Sequence, residues 1–113
     1  MTEEQVRYIM VYFSQFLTEK ESIAVRHYTS TLKLADNHNP NFKKAYERNG
    51  WLTSDQAALD LLKNGYDSFS LKTANRIVAD NGDTAIFNNC PKCGKLARTP
   101  TAKQCGHCGH DWH

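Results

Sequence analysis

The sequence predicts a mainly α-helical protein: a five-helix N-terminal bundle over residues 1–83, with a small β hairpin module docked on it over residues 84–113. Three observations predict this. Apolar residues recur at helical spacing as far as Val78, and the pairs Asn49-Gly50, Asn64-Gly65 and Asn81-Gly82 punctuate the later segments as helix stops. After Gly82 the pattern changes to short runs with strand character. The chain's four cysteines, Cys90, Cys93, Cys105 and Cys108, all fall in that last stretch.

Thr2 as N-cap, followed by Glu3 and Glu4, opens a first helix expected to reach Leu17. Val6, Ile9, Phe13, Phe16 and Leu17 form its apolar stripe, and Tyr8, Met10, Val11 and Tyr12 widen that stripe nearly around the helix. So apolar a helix is expected at the centre of a core, or with its second face against another chain. Thr18-x-x-Glu21 is a capping box for a second helix running to Ala35, with Val25, Tyr28, Leu32 and Ala35 on one face. The joint between the two helices is short, which predicts an antiparallel pair. His27 stands alone on the second helix and reads as a packed or surface residue, not a ligand.

Asp36-Asn37-His38-Asn39-Pro40 is a breaker-rich loop, with Asn39 as N-cap and Pro40 at the first position of a third helix. Three short helices are expected, over Pro40–Asn49, Ser54–Asn64 and Ser68–Asp80. Thr53-x-x-Gln56 offers a capping box for the middle one, and Ser68 or Ser70 a cap for the last. The last two invite a helix-turn-helix reading with Lys72, Asn75 and Arg76 on the second helix. The weak basic surface, with Asp80 close by, favours a plain helical hairpin. Thr84–Phe87 reads as a strand, and Leu96–Thr99 and Thr101–Gln104, separated by Pro100, as two hairpin arms.

The cysteines form two copies of one pattern, Cys90-Pro91-Lys92-Cys93-Gly94 and Cys105-Gly106-His107-Cys108-Gly109. A two-residue gap lets one tight turn present two thiolates to one ion, and zinc takes four such ligands tetrahedrally. Glycine after the second cysteine supplies the positive φ by which the chain leaves the turn. Four sulfurs leave no coordination position open, so a site made of Cys90, Cys93, Cys105 and Cys108 is structural, not catalytic. His107, His110 and His113 crowd the same end, and one could replace a cysteine. The all-cysteine set is favoured because it alone uses both matched turns completely.

Residues from about Phe87 to His113 resemble a zinc ribbon, the family of short β-hairpin modules held by two Cys-x-x-Cys knuckles. The likeness covers the final quarter of the chain. It implies a bound Zn²⁺ and a role in nucleic-acid binding, protein contact or simple stapling of a domain. The gap between the knuckles leaves room for one small hairpin and no long recognition loop.

Charge bears on the choice. The formal net charge is +2, with 14 basic and 12 acidic residues. Only the tail leans basic, where Lys92, Lys95, Arg98 and Lys103 face the single acid Asp111. Zinc with four thiolates carries two negative charges, so these four cations either offset the site or contact phosphates. No phosphate-cradling glycine loop, nucleophile elbow or helical His-Glu-x-x-His motif is present. A thiol–disulfide oxidoreductase would sit in a βαβ pattern, which is missing. The N-terminus reads as no secretory signal, and the longest apolar run, Tyr8–Phe13, is far short of a membrane span. A reducing cytoplasm is the expected setting, where such cysteines ligate metal. The expectation is a non-enzymatic zinc protein acting as an interaction or adaptor module, with the apolar first helix meeting a protein partner, itself or another. The alternative is a nucleic-acid-binding regulator using Lys92, Lys95, Arg98 and Lys103.

Overall fold

A computed structural model describes residues 1–35 and 39–113; of the expected breaker-rich loop, Asp36-Asn37-His38 lie outside the described residues. Among the described residues the chain is mainly helical. It carries α1 (Glu3–Tyr12), a 3₁₀ turn (Ser14–Phe16), α2 (Glu19–Ala35), α3 (Pro40–Arg48), α4 (Gln56–Leu61), α5 (Tyr66–Asn81) and α6 (Asp83–Ile86). That is six α-helices where five were expected. None is long and apolar enough to cross a membrane. Contacts divide the chain into two compact units, Met1–Phe16 with Ser70–His113, and Leu17–Phe69. The boundary expected at 83/84 falls inside the first unit.

Local chemistry explains most helix starts. Thr2 and Gln5 form a complete capping box, the Thr2 hydroxyl accepting from the Gln5 amide at 3.1 Å and the Gln5 side chain accepting from the Thr2 amide at 2.9 Å. Thr18 and Glu21 do the same for α2, at 3.2 and 2.8 Å. Asn39 caps α3 with Pro40 at its first position. The cap of α4 is Asp55, whose side chain accepts from the Ala57 amide, and Thr53 instead accepts from the Asp55 amide. The helix therefore starts later than Ser54, and the expected Thr53-x-x-Gln56 box does not form. An aspartate adjacent to the first turn competes well for the cap because it also meets the helix dipole.

In the unit Leu17–Phe69, α2 packs against α3 and α4. Its core holds Ala24, Ala58 and Phe69, with Tyr28 stacked on Tyr66 at 4.0 Å between ring centroids. Small residues at the buried positions allow close approach of the helices, while the larger rings fill the sides.

In the other unit, α1 ends at Tyr12, short of Leu17, and the chain tightens into the 3₁₀ turn. Tyr8, Ile9 and Phe13 of the α1 segment are buried, as are Ala74 and Ile77 of α5 and Ile86 of α6. Ile9 and Ile77 are completely enclosed, each contributing about 1.5–3 kcal/mol of burial. The Arg76 guanidinium donates to the Phe16 carbonyl at 3.1 Å and pairs with Asp80 at 3.3 Å. The 3₁₀ turn is thus tied to α5 by a residue that the helix-turn-helix reading would have turned toward DNA.

Two strand expectations are corrected. Thr84–Phe87 is not a strand: Asp83–Ile86 makes one helical turn, closed by the Phe87 amide donating to the Asp83 carbonyl at 2.8 Å. Gly82, at φ 89°, stops α5, and Asp83 places an acid at the start of the new turn, so backbone groups are satisfied locally without a partner strand. No sheet forms among the described residues. The segments Leu96–Thr99 and Thr101–Gln104 do not pair with each other. Leu96 bridges back to Asn89, and Gln104 bridges forward to Asp111, so each cysteine pair is enclosed by its own bridge. The Asn88 side chain donates to the carbonyls of Thr99 and Ala102, at 2.9 and 2.8 Å, and holds the link between them as a turn.

Candidate metal centre

The C-terminal segment contains one backbone design used twice. In the first copy the Cys90 amide donates to the Lys95 carbonyl (2.8 Å), the Gly94 amide to Cys90 (2.9 Å) and the Ala97 amide to Asn88 (2.8 Å). In the second the Cys105 amide donates to His110 (2.8 Å), Gly109 to Cys105 (3.1 Å) and Trp112 to Lys103 (2.9 Å). Every donor and acceptor of one copy has its counterpart in the other. Gly94 and Gly109, at φ 76° and 78°, occupy the left-handed conformation that the exit of each turn requires.

The turns aim backbone dipoles at sulfur. Cys90 Sγ accepts from the Lys92 and Cys93 amides, both at 3.4 Å, and Cys105 Sγ from the His107 and Cys108 amides at 3.2 and 3.3 Å. The amide of Cys108, then that of His107, outweigh desolvation and hold the Cys105 thiol down to about 6. At Cys90 desolvation is the largest influence and opposes ionisation, but the Cys93 and Lys92 amides and the Cys108 sulfur bring the thiol below its usual value. Cys93 behaves oppositely: the Lys95 amide favours its thiolate, yet desolvation and the crowd of neighbouring sulfurs push it up to about 11. Four sulfurs brought this close resist sharing negative charge unless a cation sits among them.

The geometry fits such a cation. The four sulfurs all lie within 4.8 Å of one another. Across the two turns, Cys93 and Cys105 sulfurs are 3.5 Å apart and Cys90 and Cys108 sulfurs 3.7 Å. A tetrahedral ion with metal–sulfur bonds of about 2.3 Å has sulfur–sulfur edges of about 3.8 Å. The four cysteines are thus positioned to hold one metal ion as a closed, structural site. Cys90 and Cys105 are buried, while Cys93 and Cys108 reach the surface.

The three tail histidines have other neighbours. His107 faces Glu4 of α1 at 3.8 Å, His110 stacks on Trp112, and His113 contacts the Asp111 carboxylate. That carboxylate is held below its usual range by the His113 amide and then by the His113 ring. Phe87 meets α1, its ring centroid 6.3 Å from that of Tyr8. Trp112 packs with His110 instead. Lys92, Lys95, Arg98 and Lys103 are all exposed. Arg98 lies over the second turn, where a Cβ added to Gly106 would come within 2.9 Å of its Nε.

Sequence reasoning missed the role of His27. Its Nδ1 accepts from the Thr53 amide at 3.0 Å, which leaves the neutral ring's proton on Nε2. His27 also lines a cavity of about 730 Å³ with Thr31, Leu34, Lys43, Glu47 and Leu52 among its neighbours. No pattern in the sequence marks this contact, which joins α2 to a loop 26 residues away.

Comparison of the chain with protein-family models, with curated proteins and with solved structures yields no match.

Proposed function

We propose that this protein is a small, non-enzymatic zinc-binding protein in which a four-cysteine zinc site fixes the C-terminal segment so that the chain serves as a protein-interaction or adaptor module. The observation that carries the reading is the cluster of four sulfurs at tetrahedral spacing, with amides converging on two of them. Zinc is the ion of choice for four thiolates in a closed set, since it needs no open position and no change of oxidation state. When bound, it supplies two positive charges and a covalent-like tie between the two turns.

Support for a protein partner comes from α1 and its 3₁₀ extension. Val11, Tyr12 and Phe16 remain exposed, at 59, 42 and 39 %. Val11 and Tyr12 are among the residues that widen the apolar stripe in sequence and Phe16 belongs to the stripe itself, and burying them against a partner would remove apolar surface from water. Metal analysis together with a sizing run tests both parts. Stoichiometric zinc with a self-associated or partner-bound chain is the expected result. A zinc-free preparation would remove the first part, and a strictly monomeric chain with no partner the second.

A second reading is supported by the exposure of Lys92, Lys95, Arg98 and Lys103 around the site. If these contact phosphates, binding to DNA or RNA falls steeply as salt rises, whereas an apolar interface is nearly indifferent to salt. Shift assays at two salt concentrations distinguish them. The position of Arg98 over the second turn favours charge compensation of the thiolates for at least that residue.

A further inference from the structure

We infer that the sulfur cluster is also a modification site for hydroperoxides, which convert it into two disulfides crossing between the turns, Cys93 with Cys105 and Cys90 with Cys108, and thereby discharge the metal. This rests on the zinc reading above. The crossed sulfurs are 3.5 and 3.7 Å apart, already in contact. Each crossed pair joins an exposed cysteine, Cys93 or Cys108, to a buried one of the other turn, Cys105 or Cys90. A small oxidant arriving from solvent meets the exposed member first. The buried member is held in place by two amides and waits behind it. Arg98 lies against Gly106, in the same turn as Cys105.

The chemistry balances with one hydroperoxide per pair. The exposed sulfur attacks the O–O bond; one oxygen stays on sulfur as a sulfenic acid and the other leaves as hydroxide, or as alkoxide from an organic hydroperoxide. The facing thiolate then attacks that sulfur, the S–S bond forms, the S–O bond breaks, and a second hydroxide leaves. The two hydroxides released, or alkoxide and hydroxide, take their protons from buffer acid in the solvent, and the two electrons given up by the sulfurs reduce the peroxide. Disulfide sulfurs are no longer anionic donors, so the ligand set falls from four to two and then to none. Because the new bonds cross, the two turns stay tied together after the metal has left, and a thiol reductant can return the site to its starting form.

The test uses the 113-residue chain with its zinc content measured first. It is titrated with hydrogen peroxide while a chromophoric indicator reads released zinc, and products are mapped by non-reducing peptide mass spectrometry. Trypsin cuts after Lys92 and Lys103, separating Cys90 from Cys93 and leaving Cys105 and Cys108 on one peptide. Crossed bonds therefore link both the Cys90 and the Cys93 peptides to the peptide beginning at Gln104, and fragmentation between Cys105 and Cys108 assigns each bond. Expected are complete zinc release in step with these two links, and recovery of zinc binding after thiol reduction. Links within each turn, cysteine sulfinic acids in place of disulfides, or zinc retained while peroxide oxidises the metal-free chain would each overturn the inference and leave the zinc reading standing. A chain that carries no zinc at the outset would overturn both.

Discussion

The Tyr8 phenol donates to the Ile86 carbonyl at 3.0 Å, a buried bond that joins the first helix to the residues leading into the first cysteine turn. The same ring lies against Phe87. The segment that leads into the four cysteines is therefore tied to α1.

Removing the phenolic oxygen tests this joint. Tyr8→Phe leaves the Ile86 carbonyl without its partner and is expected to cost about 1–3 kcal/mol, the penalty of an unsatisfied buried group. Urea denaturation measures it. Burial raises the Tyr8 pKa above its ordinary 10.0, with the Asn88 backbone opposing. A raised folded value means that this group's contribution is whole below pH 10.0 and is lost as pH rises beyond it. Stability of the native chain should thus fall in alkali by more than that of Tyr8→Phe.

Metal affinity should weaken as pH falls, because each ligand must be a thiolate. The Cys105 thiol is held down to about 6 by the amides of its own turn. Its depressed value contributes to stability above the ordinary 9.0 and is lost as pH drops through about 6. Competition with a chelator over a pH series is expected to show zinc affinity falling steadily as the pH is lowered. Equal affinity at about pH 5 and about pH 8 would contradict the assignment of these residues.

Chelation at neutral pH should disorder the cysteine segment while most helical signal remains, since α2, α3 and α4 belong to the other compact unit. Structural zinc in finger peptides is worth about 10–16 kcal/mol, far more than Leu96, Ala97 and their neighbours can supply by burial. Circular dichroism alongside Trp112-sensitive fluorescence would read the two responses separately, with Trp51 replaced by Phe to isolate the signal.

The three glycines of the turns should respond differently to alanine. Gly94→Ala and Gly109→Ala force a side chain into the left-handed region and are expected to cost about 1–2 kcal/mol each, with weaker metal retention. Gly106 is not held at such a φ, and its added methyl would meet only the movable Arg98 side chain. Gly106→Ala should therefore cost less, in chelator competition and in thermal unfolding alike.

Asp55 has two jobs, capping α4 and pairing with Lys20. The Lys20 ammonium, then the Ala57 amide, hold its carboxyl below the usual 3.8 against some desolvation. Its contribution is present above that value and disappears as pH falls below it. Asp55→Ala should destabilise more than Lys20→Ala, because only the first removes the cap. Added salt should narrow the effect of Lys20→Ala, since an exposed pair is readily screened.

Much of this protein is dictated locally and could be read from residues alone. Thr18 with Glu21 and Asn39 with Pro40 define helix starts through bonds that span three residues or fewer. The paired Cys-x-x-Cys-Gly turns set their own sulfur geometry, because the amides that orient each thiolate lie in the same turn. What the tertiary structure decided is everything that depends on distant partners. Thr84–Phe87 has the composition of a strand, yet a strand needs a neighbour, and here Asp83–Ile86 closes its own hydrogen bonds and lends the Ile86 carbonyl to Tyr8. Likewise, each cysteine turn closes on itself through its own bridge, and the link between them is a turn in which the Asn88 side chain donates to Thr99 and Ala102. The placement of α1 beside the cysteine segment, and of His27 beside Thr53, follows from packing across long stretches of chain, for which no short-range pattern exists to be read.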